Sequence, residues 1–132
     1  MQGFDWNLHN NTKHGLLIDR ATVVVNGLQL NDNEQSGAQV LDSRYVTFEN
    51  LTATNNGGDA ATNPLAQNQA GLYYQESNDL ESESGDVRCR NCMVSGSTGA
   101  GILAENSVDL WLEGITLYGN SVDVPALTID NE

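Results

Sequence analysis

The sequence predicts an all-β solenoid of about four to five short coils with three strands in each. Two observations carry that expectation. The first is the stretch from Gly101 to Tyr118, in which Leu110-Trp111-Leu112 and Ile115-Thr116-Leu117 alternate apolar and mixed side chains on either side of Glu113-Gly114. Such spacing suits two short strands joined by a sharp bend, with inward side chains two residues apart. The second is recurrence. Shifted back by about 23 residues, the same frame fits Val87-Arg88-Cys89, Arg90-Asn91 and Cys92-Met93-Val94.

Two further copies lie upstream. They are Val46-Thr47-Phe48, Glu49-Asn50, Leu51-Thr52-Ala53 and Val23-Val24-Val25, Asn26-Gly27, Leu28-Gln29-Leu30. A third run precedes each pair, at Gly15 to Asp19, Ala38 to Asp42, Gly71 to Gln75, Gly101 to Glu105 and finally Ala126 to Asp130. A single copy cannot bury its apolar side chains and must stack on its neighbours. From Gly15 to Asp130 the repeat resembles that of the right-handed parallel β-helix proteins, the pectate-lyase-like group. Right-handedness is what this resemblance implies; periodicity alone does not set it. A leucine-rich repeat competes, since Ile115-Thr116-Leu117-Tyr118-Gly119-Asn120 reads as strand followed by Asn. The extra strand before each such run and the lack of helical periodicity count against it.

The 132 residues are expected to form one domain. Residues 1–13 form an N-terminal cap, 14–36, 37–69, 70–98 and 99–124 the coils, and 125–132 a partial last coil. Phe4, Trp6 and Leu8 read as cap residues over an end that would otherwise expose open core and unpaired backbone. Two segments interrupt the repeat. Residues 57–69 are small, polar and turn-rich, and residues 76–86 carry a run of acids. Both are expected as surface loops, and both are natural walls for a groove.

The formal charge is −13, with 18 Asp and Glu against five Lys and Arg. Such a surface lacks the basic face that phosphate backbones and anionic membranes require, so nucleic acid and membranes are not expected partners. No apolar run approaches the length of a membrane span, and no signal peptide is visible in the first residues. An extracellular or cell-surface location is what the β-helix resemblance implies.

In stacked coils equivalent residues lie about 4.8 Å apart, so chemistry is read down columns. Cys89 and Cys92 fall on core columns and are expected as buried free thiols, despite a C-x-x-C spacing that also occurs in redox and zinc sites. At the bend, Asn26, Asn50 and Asn91 suit left-handed backbone and coil-to-coil amide bonding, with Glu49, Arg90 and Glu113 as an acid, base, acid ladder. The column closing the first strand reads Asp19, Asp42, Gln75, Glu105, Asp130. Like charges on neighbouring rungs ask for solvent, a proton or a cation, and calcium, with its flexible oxygen shell, is the best-suited ion. A weak calcium site on Asp19, Asp42, Glu105 and Asp130 is therefore one expectation, and no other cofactor is indicated.

Outward on the second strand lie Val24, Thr47, Arg88 and Trp111. An exposed Trp beside an Arg suits a sugar ring or a cation–π contact, and Tyr73 is a further candidate whose facing the pattern leaves ambiguous. Trp111, Arg88 and Tyr73 are thus the expected ligand-binding residues. The group's polysaccharide lyases and epimerases use a carboxylate-neutralising cation or Arg with a general base on the outer strand face. No matching set aligns among Lys13, Arg20, Arg44, Arg88, Arg90, His9 and His14, so no catalytic residue is assigned. The expected function is a small non-catalytic β-helix that binds carbohydrate or protein, or self-associates through its ends as a homo-oligomer. The alternative is a polysaccharide-active enzyme or a fragment of one.

Overall fold

The computed structural model describes residues 2–4, 6–43, 45–59, 61–75, 87–106 and 110–130. Every strand pair in it is parallel. Strands are β1 (Gln2–Phe4), β2 (Asn7–His9), β3 (Leu16–Asp19), β4 (Val23–Asn26), β5 (Gln29–Asn31), β6 (Ala38–Leu41) and β7 (Val46–Thr54). A four-residue helix α1 (Ala66–Gln69) follows, then β8 (Leu72–Gln75), β9 (Val87–Ser95), β10 (Ile102–Glu105), β11 (Leu110–Glu113), β12 (Thr116–Tyr118) and β13 (Leu127–Asp130). One sheet stacks β3, β6, β8, β10 and β13 in chain order. The other stacks β1, β4, β7, β9 and β11 alongside β2, β5, β7, β9 and β12.

The shared members β7 and β9 are nine-residue strands that run through the bend. There Asn50 and Asn91 take φ of 52° and 53°, level with Gly27 at 77° and Gly114 at 63°. Asn and Gly are the residues that reach this left-handed region at least cost, which is why the bend was legible as Asn or Gly in every copy. The side-chain amides also stack: Asn50 Nδ2 donates to Asn26 Oδ1 at 3.0 Å and Asn91 Nδ2 to Asn50 Oδ1 at 3.4 Å. Beside them Arg90 lies 3.3 Å from Glu49 and 3.4 Å from Glu113, the expected ladder. Such exposed pairs add little stability.

The core runs along the solenoid axis through Ile18, Val25, Leu28, Phe48, Leu51, Leu72, Tyr74, Val94 and Ile102, all buried. Trp6 and Leu8 pack against its N-terminal end. A second, interior polar column accompanies it. Asn33 and Asn56 are buried, and each amide holds the next coil: Asn11 Nδ2 donates to Asn33 Oδ1 and Asn33 Nδ2 to Asn56 Oδ1, both at 2.8 Å. These side chains also reach the core strands, with Asn33 Nδ2 donating to Leu8 O, Asn56 Nδ2 to Leu30 O and Asn120 Nδ2 to Val94 O. Ser97 stands in the same column and its hydroxyl is buried without a partner.

Glycine packs against this ladder at the start of each coil. A Cβ on Gly37 would lie 2.6 Å from Gly71 O and 2.9 Å from Asn56 Nδ2, so no larger residue fits. Gly15, Gly37, Gly71 and Gly101 therefore share a column, and they set the register of the strands that follow.

Candidate functional site

That glycine register corrects the predicted acidic column. Asp19 pairs with Leu41, not Asp42, and the rung order is Asp19, Leu41, Gln75, Glu105, Asp130. Asp42 falls one residue past the strand, where its φ of 45° places it level with Arg20 at 50°. Alignment on Ala38 instead of Gly37 caused the slip. Asp19 is engaged by Arg20 Nε at 3.1 Å. The Glu105 carboxylate accepts the Tyr73 hydroxyl at 2.7 Å. Leu41 and Gln75 thus separate Asp19 from Glu105 and Asp130. Among the described residues no group of three or more His, Cys, Asp or Glu is arranged to hold a metal ion.

Tyr73 is also relocated. Alternation along β8 sends Tyr74 into the core and Tyr73 to the outer face of the five-stranded sheet, away from Trp111. Its ring is nonetheless only 2% exposed, packed in a small apolar cluster with Ala70, Ala100 and Leu103. Burial, followed by the bond to Glu105 and that residue's charge, pushes its phenol well above the usual range. Tyr73 is a hydrogen-bond donor in a packed site, not part of an open ligand surface.

Cys89 and Cys92 do face the core, but they are joined as a disulfide, and no described cysteine is free. The left-handed Asn91 between them turns both side chains inward from the two sides of the bend, with Cα atoms 6.0 Å apart, inside the range a disulfide spans. The expected free thiols are therefore replaced by a buried crosslink across the bend.

Trp111 and Arg88 are brought together as expected. They are register partners across β9 and β11, continuing a column with Thr47 and Val24. Trp111 is 60% exposed, and Arg88 is exposed beside it. Two residues along the same face runs the column Asn26, Glu49, Arg90, Glu113, in which Arg90 is held between its two acids. The outcome is a lateral strip with a flat aromatic and an Arg on one side and a row of fixed hydrogen-bonding charges on the other. It can stack on a ring and bond its hydroxyls.

The 57–69 insertion is ordered by Asn63, whose amide donates to Gly57 O and Asn68 O at 3.0 Å while Gln69 Nε2 donates to Asn63 O at 2.6 Å. At its base is an open polar depression of about 410 Å³ bordered by Thr12, Glu34, Gln35, Asp59, Thr62 and Asn63. Asp59 is committed to its own turn, accepting from Ala61 N. The predicted acidic loop at 76–86 lies outside the described residues, as does Arg44. The interior Asn column was not expected from the sequence, although Asn11, Asn33 and Asn56 recur at nearly equal spacing.

A comparison with curated proteins finds no match. Among solved structures, the chain is similar to the A-module of the mannuronan C-5 epimerase AlgE4 from Azotobacter vinelandii, with 18% identity and a TM-score of 0.63. The similarity covers 88% of this chain and 35% of that one, so the chain spans about a third of that module. At this identity the likeness speaks for the fold. The family model described as "Right handed beta helix region" matches residues 4–126. With stacked parallel strands, three-strand coils and this match in agreement, the chain belongs to the right-handed β-helix family.

Proposed function

We propose that the protein is a non-catalytic carbohydrate-binding module that contacts a glycan chain through the lateral strip of Trp111 and Arg88. The observation that carries the reading is an indole 60% exposed and in register with an exposed Arg on the outer face of a parallel sheet. A large aromatic left open on such a face is suited to the apolar side of a sugar ring. The charge of −13 favours neutral glycans over polyanionic ones. The similarity to a mannuronan epimerase module keeps polymannuronate in the panel. The disulfide supports an oxidising, extracytoplasmic setting, where polysaccharides are met.

Affinity electrophoresis against soluble β-glucan, xylan and polymannuronate tests this. Retardation by a neutral glycan is expected, with Trp111→Ala weakening it about tenfold or more, the worth of one stacked aromatic. Unchanged mobility of the parent on every polymer would sink the reading. The alternative, an enzyme acting on polysaccharide, predicts a changed proton spectrum of polymannuronate after incubation.

A further inference from the structure

The depression beneath the 57–69 insertion offers many hydrogen-bond acceptors and few donors. It holds about 410 Å³ and is bordered by two acids, Glu34 and Asp59, and by Thr12, Gln35, Thr62 and Asn63, with no Lys, Arg or His on its rim among the described residues. The Glu34 carboxylate, the Gln35 amide and the Thr12 hydroxyl make no hydrogen bond or ion pair among the described residues. Asp59 gives one carboxylate oxygen to Ala61 N at 2.9 Å and keeps the other open. We propose that this depression binds a small organic cation that carries a guanidinium group.

Asn63 is the residue that asks for a ligand. It is 7% exposed, and its Nδ2 donates to the carbonyl of Glu34 at 3.4 Å and to those of Gly57 and Asn68 at 3.0 Å. Three carbonyl partners fix which amide atom is the nitrogen, and the remaining atom, Oδ1, accepts no bond from any described residue. A buried acceptor without a donor is costly, and a ligand N–H that reaches it removes the cost. The Glu34 and Asp59 carboxylates, Asn63 Oδ1, Gln35 Oε1 and Thr62 Oγ1 together outnumber the three N–H groups of an ammonium. The five of a guanidinium match them better, and its planar fork suits carboxylates.

The walls are held in place without a ligand. Gly58 takes φ of 56°, and a Cβ there would collide with Glu34 O, so only glycine lets the insertion close on the Glu34 turn. Thr98 Oγ1 fastens Gly58 O from the next coil at 2.6 Å, and Gln69 Nε2 fastens Asn63 O at 2.6 Å. Calcium is the competing cation for two carboxylates. It needs about six to eight oxygens converging at about 2.3–2.6 Å, and an open bowl of about 410 Å³ with two acids supplies no such shell. None of these residues belongs to the strip of Trp111 and Arg88, so this site and the glycan reading stand or fall independently.

The test is a titration of the isotope-labelled whole chain with agmatine, a guanidinium with an amine at its other end, read by amide chemical shifts at constant ionic strength. Saturable shifts confined to Gln35, Gly58, Asp59 and Thr62 are expected, with a dissociation constant of about 1 mM, the scale of a few charge-assisted bonds in water. Putrescine carries the same charge on two ammonium groups and should bind several-fold more weakly. Glu34 is exposed and unbonded, so Glu34→Gln should keep a parent-like circular dichroism spectrum while weakening agmatine about tenfold. Asp130→Asn removes the same charge at the far end of the five-stranded sheet and should leave the affinity unchanged. Equal weakening by both variants would mean diffuse attraction to an acidic surface and overturns the site. So does a titration that has not begun to saturate at about 20 mM, putrescine binding as tightly as agmatine, or calcium shifting these amides where agmatine does not.

Discussion

Replacing Asn33 by Ala should be among the most damaging conservative changes to this protein. The side chain is 1% exposed and makes four bonds: it accepts from Asn11 N at 3.2 Å and Asn11 Nδ2 at 2.8 Å, and donates to Leu8 O at 3.2 Å and Asn56 Oδ1 at 2.8 Å. Each net bond is worth about 1 kcal/mol, and a buried acceptor stripped of its donor costs about 1–3 kcal/mol, so the loss should be about 3–5 kcal/mol. For a chain of this size that is a fall of about 10–20 °C in Tm. Thermal melts followed by circular dichroism read it directly. Asn26→Ala is the control, because Asn26 only accepts an exposed bond from Asn50 on the outer bend and should cost less than about 1 kcal/mol. If the two variants melt together, the interior ladder is not what ties the coils, and the argument fails.

Ser97→Asn should stabilise by about 1–2 kcal/mol, since Asn there extends the ladder and relieves a buried hydroxyl that has no partner; a lowered Tm would show that the column has no room for it. Tyr74→Phe removes another buried, unpartnered hydroxyl and should leave urea stability unchanged or raise it by about 1 kcal/mol, a marked loss being the contrary result. His14 gives the fold a pH dependence. Burial first, and then Lys13, lower its pKa below 6.5, so the folded state prefers the neutral ring that bonds Ser36 Oγ at 2.8 Å. Its contribution is present above the ordinary value of 6.5 and is lost as pH falls through the lowered folded value. Tm should therefore decline less over that interval in His14→Gln than in the parent, and parallel declines would exclude His14 as the cause.

The strand pairs around the bend were legible because a left-handed residue is chemically conspicuous: Gly27, Asn50, Asn91 and Gly114 mark every copy. The lateral pair of Trp111 and Arg88 followed from the same frame. The first-strand register was not legible to one residue, because Gly37 and Ala38 are both small and only close packing on Asn56 distinguishes them. That single step turned Asp42 from a rung into a turn residue. The crosslink of Cys89 to Cys92 escaped because alternation assigns both inward but not toward each other; the φ of Asn91 does that. The facing of Tyr73 stayed ambiguous because three successive apolar residues hide the alternation; it faces outward, and local packing with Ala100 and Leu103 covers it. The Asn ladder went unread because polar side chains are expected outside, and here they satisfy coil-end carbonyls within.

Coils that touch mainly their sequence neighbours also decide how the molecule would respond to force. Pulled at its ends, such a chain has no reason to rupture all at once; it peels from whichever end coil is held least. Trp6, Leu8 and Leu16 in the first coils and Leu110, Leu112, Ile115 and Leu117 in the last full coil are only partly buried, whereas Phe48, Leu51, Cys89 and Cys92 in the middle are sealed, so peeling slows toward the centre. Each released coil of about 23 residues would lengthen the chain by about 80 Å, so extension would proceed in steps.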